Sequence, residues 1–109
     1  MSNRTLPAAV DTYLRTPKDE LGPVIGQTFT PDAVVRDDGN THVGLGAIRD
    51  WTDAVAAISF TRTITDVSVL DNAAIVQVSV AGDFPGSPVQ LHHHFTLSDG
   101  RINALTICP

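Results

Sequence analysis

The sequence predicts an α+β domain in which helices pack on one face of a curved, mostly antiparallel sheet. Three observations carry that prediction. Apolar residues recur at helical steps of three and four up to Ile58, and from Phe60 onward the period changes to two. Strong turn signals (Asp38-Gly39-Asn40, Asp71-Asn72 and Asp99-Gly100) separate the strand-like runs. The apolar phase of the first long strand also switches between Ile64 and Val67, which requires a bulge or sharp bend because a plain strand keeps its faces. Helices first and a meander of strands last describes α+β architecture rather than alternating βαβ units.

Taken in order, the first helix starts near Thr5 with Pro7 in its first turn, and Val10, Tyr13, Leu14 and Pro17 follow its buried stripe. Thr16-Pro17 with Asp19 caps a new helical turn, and Gly22-Pro23 restarts it. Val24, Ile25 and Phe29 then face inward, and Pro31-Asp32 closes the segment. Ala33 to Asp37 is a short strand, and Thr41 to Val43 pairs back across the Asp38-Gly39-Asn40 turn. Gly44-Leu45-Gly46 opens a second clear helix, with Leu45, Ile48, Trp51, Val55 and Ile58 on one face. Strands follow over Phe60 to Leu70, around Ala74, Val76, Val78 and Val80, then Val89 to Leu97 and Arg101 to Ile107. Asp83 to Pro88 is a loop.

Composition bounds the function. The 109 residues make one domain, 1–109, able to bury roughly two-thirds of its surface. Hydrophobic residues are 42%, too many for a disordered chain. Only 17% are charged, which suggests that some surface is covered by a second subunit or encloses a cavity. Net charge is −5 with 7 Lys and Arg, so a nucleic-acid footprint is absent. Cys108 has no internal partner, no signal-peptide pattern opens the chain and no run is long enough to span a bilayer; a cytoplasmic location is expected.

The run Val89 to Leu97 carries three adjacent histidines, which strand alternation divides. His93 shares a face with Val89, Leu91, Phe95 and Leu97; His92 and His94 share the other with Gln90, Thr96 and Ser98. His92 and His94 form an H-x-H pair that could present two imidazoles to a divalent metal, but a third ligand, from His42 or a distant acid, is not recognisable. The expectation is no metal, with this pair as the weak alternative. An imidazole between Leu91 and Phe95 is either a satisfied core histidine or part of a cavity wall.

Phe29 to Trp51, FTPDAVVRDDGNTHVGLGAIRDW, resembles the central segment of SnoaL-like and ketosteroid-isomerase-like proteins of the nuclear transport factor 2 superfamily. The resemblance runs along nearly the whole chain: a Tyr-bearing first helix, a Phe-x-x-Asp-Ala strand entry, a Gly-x-x-x-Ile-Arg helix and a meander ending in His-Phe and a Gly turn. It implies a cone, with three helices closing a curved sheet around a pocket, and a homodimer through the outer face of the sheet, near His92 and His94. It also implies proton abstraction α to a carbonyl of a hydrophobic, steroid- or polyketide-like compound, without a cofactor. In that chemistry an aspartate is the base, and a tyrosine and a protonated aspartate hydrogen-bond the enolate oxygen.

The tyrosine position falls on Tyr13 and the base on Asp37; the protonated acid falls on His93, a departure from the pattern. A neutral imidazole donates one hydrogen bond and is a weaker acid than a buried carboxylic acid, while an apolar pocket disfavours the cation. His93 paired with Asp37, or acting as a general acid, are further roles. Phe29, Leu91, Trp51 and Phe95 are expected to line the pocket, Trp51 with a core role ahead of it. Each site residue has a plainer alternative: packing for Tyr13, backbone capping for Asp37, and for the whole domain a binding or scaffold module without chemistry.

Overall fold

A computed structural model describes residues 6–109. Thr5, expected near the start of the first helix, lies outside them. Helix α1 spans Ala8–Arg15 and buries Ala9, Val10 and Tyr13. Its stripe is one turn shorter than expected: Pro17 is exposed and begins a separate 3-10 turn, Lys18–Glu20, which has no side-chain cap. A second 3-10 turn, Gly22–Val24, leads into the one-turn α2, Ile25–Thr28.

The strand after α2 begins earlier than the sequence indicates. β1 runs Phe29–Asp37, so Pro31-Asp32 lies within it rather than closing the helical segment. The reason is visible in the pairing with the last strand, which steps from Phe29–Ile102 to Val34–Ala104 and so leaves an irregularity around Pro31. A proline has no N–H for a ladder bond and is accommodated where the ladder is interrupted. β2 (Asn40–Val43) returns across the Asp38-Gly39 turn, where both residues take positive φ, 52° and 76°. Helix α3 spans Gly44–Ala56 and buries Ile48, Trp51 and Thr52; Ile58 falls beyond its end and is exposed.

The rest is a meander: β3 (Phe60–Leu70), β4 (Ala73–Gly82), β5 (Val89–Ser98) and β6 (Arg101–Cys108). The sheet is open, in the order β2-β1-β6-β5-β4-β3, antiparallel throughout except for the parallel β1–β6 pair. The expected phase switch in β3 is a register shift between Ile64 and Asp66, and a further shift in β5–β6 falls between Thr96 and Leu97. Such irregularities bend strands and let a sheet curl around the helices laid on it. One core results: Val76, Val78, Phe95, Ile102 and Leu105 from the sheet pack with Val10, Ile25 and Ile48 from the helices. No helix among the described residues is long and apolar enough to cross a membrane.

Candidate active site

One rung across the sheet sets the site. Asp37 on β1 aligns with Ile107 on β6, and Ile107 aligns with His93 on β5. Aligned residues point to the same face, so Asp37 and His93 project toward the helices with one strand between them, roughly 10 Å apart at Cα. The parallel β1–β6 pairing brings this about.

Tyr13 reaches the same place from α1. Its ring stacks on Trp51 (6.3 Å between centroids, 13° between planes), meets Phe29 and Phe95 edge-on at 5.9 and 5.8 Å, and lies 6.5 Å from His93. Burial pushes the Tyr13 hydroxyl up to about 12, against the opposing pull of Arg62. The phenol therefore stays protonated at neutral pH and can donate a hydrogen bond.

Trp51 explains how Asp37 is held. Its indole Nε1–H donates to Asp37 Oδ2 at 3.1 Å, fixing the carboxylate at the end of β1 by a residue on α3. His93 is 3% exposed, and its ring lies 6.1 Å from Phe95 at 22°. Burial, and after it the positive charge of Arg62, depresses its proton affinity to about 4. Near neutral pH there is no imidazolium to pair with Asp37. His93 Nδ1 is buried and has no hydrogen-bond partner among the described residues.

Tyr13, Asp37 and His93 line one cavity of about 690 Å³. Trp51 and Leu91 line it too, with Val55, Val80, Val89 and Ile107 supplying much of the apolar wall. Phe84 brings the Asp83 to Pro88 loop to the cavity, and the exposed Ile58 stands on its lining. Phe29 and Phe95 correct the expected lining: both are buried to 1% exposure or less and support the Tyr13 ring from behind, outside the cavity wall.

His92 and His94 lie on the opposite face of β5, ring centroids 6.4 Å apart. His42 is on β2 against Trp51, with the rings 6.0 Å apart, and is no third ligand for them. No group of three or more His, Cys, Asp or Glu suited to a metal occurs among the described residues.

Sequence reasoning missed Arg62. It lines the cavity, its guanidinium carbon lies 5.4 Å from the Tyr13 ring centroid, and its Nη2 donates to Leu14 O at 3.4 Å. The signal was present, because alternation puts Arg62 between Phe60 and Ile64 on the apolar phase of β3, where an arginine needs a reason. The Trp51–Asp37 hydrogen bond had no sequence signal, since helical spacing gives only an inward direction.

The site thus holds a fixed carboxylate able to accept a proton, a phenol and a neutral imidazole able to donate hydrogen bonds, and one cation, around an apolar space. Residues 19–105 match the model of the SnoaL-like domain. A crystal structure of a candidate polyketide cyclase from Sinorhizobium meliloti is 40% identical, covers 94% of each chain and superposes with a TM-score of 0.86. At fold level only, a candidate isomerase of the SnoaL-like family from Agrobacterium tumefaciens (15% identity, 91% and 92% covered, TM-score 0.75) is also similar. So is an epoxide hydrolase from M. tuberculosis (18% identity, 93% and 75% covered, TM-score 0.74). No protein of curated function matches the sequence.

Proposed function

The chain belongs to the SnoaL-like family, and on that premise we propose that its cavity takes a hydrophobic carbonyl compound and promotes proton abstraction α to the carbonyl. The observation that supports this is the shared lining: Tyr13, Asp37 and His93 meet in one apolar cavity. Asp37 accepts the proton from the α-carbon, and the electron pair moves onto the carbonyl oxygen. Tyr13 Oη–H and an N–H of neutral His93 donate to that oxygen as charge develops on it. Return of the proton to another carbon gives isomerisation; attack of the enolate on a second carbonyl gives ring closure. The Sinorhizobium meliloti relative, described as a candidate polyketide cyclase, favours the second outcome.

Deuterium exchange into the methyl group of an acetylarene, followed by NMR, tests the proposal without knowledge of the natural substrate. Asp37→Asn should lower catalysed exchange at least about 100-fold with the fold retained. Equal exchange in the variant removes Asp37 from the mechanism. A second reading, a ligand-binding module without chemistry, is favoured by the neutral imidazole standing where the resemblance expects an acid; binding of the acetylarene with exchange no faster than in buffer supports it.

The same family reading carries a homodimer through the outer face of the sheet, where Ile75 is exposed and aligns with His94. Light scattering that gives the mass of a single chain at micromolar concentration rules the dimer out.

A further inference from the structure

The charges on the cavity wall are segregated. Asp37 and Asp38 stand at its β1 end, and Arg62 stands on β3, beyond β6, β5 and β4 in the sheet order. Tyr13 and His93 lie between these poles, Tyr13 touching both: Trp51, which holds Asp37, stacks on one side of its ring, and the Arg62 guanidinium lies 5.4 Å from the ring centroid.

Arg62 is half-buried and is the cation among the lining residues. Its contacts are neutral: a long hydrogen bond to Leu14 O, and Tyr13, whose ring face it lies against and whose hydroxyl oxygen accepts from it. Among the described residues no carboxylate forms an ion pair with it. A guanidinium that has lost part of its water without gaining an anion retains unused donor capacity in a fork suited to a carboxylate. The chain does not use Arg62 to hold Asp37, because Trp51 does that.

We propose that Arg62 is the anchor for an anionic group on the substrate, and that the cavity takes a carbonyl compound bearing a carboxylate on the side of the carbonyl away from the reacting α-carbon. The inference rests on the carbonyl-binding reading of this cavity and adds polarity and direction to it. The carboxylate lies against Arg62 at the β3 end, the carbonyl oxygen faces Tyr13 and His93, and the α-carbon meets Asp37 at the β1 end. The opposite orientation would set the carboxylate against Asp37 and Asp38. The positive field of Arg62 also falls on Tyr13 and His93, the two groups placed to face the carbonyl oxygen.

A matched pair of probes tests this: 6-acetyl-2-naphthoate, with its carboxylate across the rings from the acetyl methyl, and its methyl ester. Calorimetry on the whole chain should give binding of the carboxylate at least about tenfold tighter than the ester, as expected for one charge-assisted hydrogen-bonded pair. Arg62→Met should bring that ratio to about one with ester affinity unchanged, and Arg62→Lys, which keeps the charge without the fork, should leave part of it. The wild-type ratio should also shrink with added salt, a readout that needs no variant to fold.

A ratio near one in the wild type, or an unchanged ratio in Arg62→Met, overturns the inference while the carbonyl reading survives through ester binding. No binding of either probe overturns both. Methyl-group exchange without the carboxylate preference overturns the anchor alone.

Discussion

Acidification should destabilise this protein through His93 specifically, and the size of the effect follows from its surroundings. The imidazole is 3% exposed, burial and Arg62 hold its proton affinity at about 4, and an unfolded chain restores the ordinary 6.5. Well above pH 6.5 the residue is neutral in both states and contributes no slope. Between 6.5 and about 4 the unfolded chain binds a proton that the folded chain refuses, so stability falls with the pH at up to about 1.4 kcal/mol per unit. By about pH 4.5 the loss reaches roughly 2 to 3 kcal/mol, a large fraction of a small domain's total. Below about 4 the folded state is protonated too, and the slope from this group ends.

The assay is urea unfolding followed by Trp51 fluorescence at about pH 7.5 and about pH 4.5, in the wild type and in His93→Leu. Leucine keeps an apolar side chain of similar volume against Phe95 and cannot titrate. Other groups titrate equally in both proteins, so the difference between the two pH-dependent losses isolates His93. That difference should be roughly 2 to 3 kcal/mol, with the variant the less acid-sensitive. Parallel losses, agreeing within about 0.5 kcal/mol, would refute the argument and mean that the folded protein admits a proton at His93 without penalty.

Two further substitutions separate chemistry from packing. Tyr13→Phe keeps the ring contacts with Phe29, Trp51 and Phe95 but removes the hydroxyl, so acetylarene exchange should fall about 10- to 1000-fold while stability moves by no more than about 1 kcal/mol. Unchanged exchange would reduce Tyr13 to a packing residue. Gly82→Ala should destabilise by about 2 kcal/mol or more, because its Cβ would sit 2.5 Å from Ser59 O and 2.9 Å from Phe60 Cβ at the start of β3. An unshifted urea midpoint would show that the β3–β4 junction gives way without cost.

Much of the fold was legible because its determinants are local. Asp38-Gly39 and Asp99-Gly100 adopt positive φ, as turn residues of their type do, and each joins the strands that its position in the sequence suggests. The phase switch between Ile64 and Val67 marked a bulge, because alternation is a property of the strand itself. The error at Pro31 has the same origin: proline reads as a terminator locally, and only its distant neighbour β6 allows the strand to run through it. Site residues divide in the same way. Parity alone put His93 on the inward face of β5 and His92 with His94 on the outward one. Parity also placed Phe95 inward, and the helical reading did the same for Phe29, but an inward direction does not distinguish a cavity wall from the packing behind it.

By itself, then, the sequence determined most of the elements and the inward faces of Tyr13 and His93, because each of these depends on neighbours a few residues away. Only the tertiary structure decided that these groups share one cavity. That depends on the parallel pairing of β1 with β6, which aligns Asp37, Ile107 and His93, on the Trp51 indole reaching Asp37 from α3, and on Arg62 lying over Tyr13. Those contacts join segments far apart in the chain, and their geometry is set by how the sheet bends around the helices.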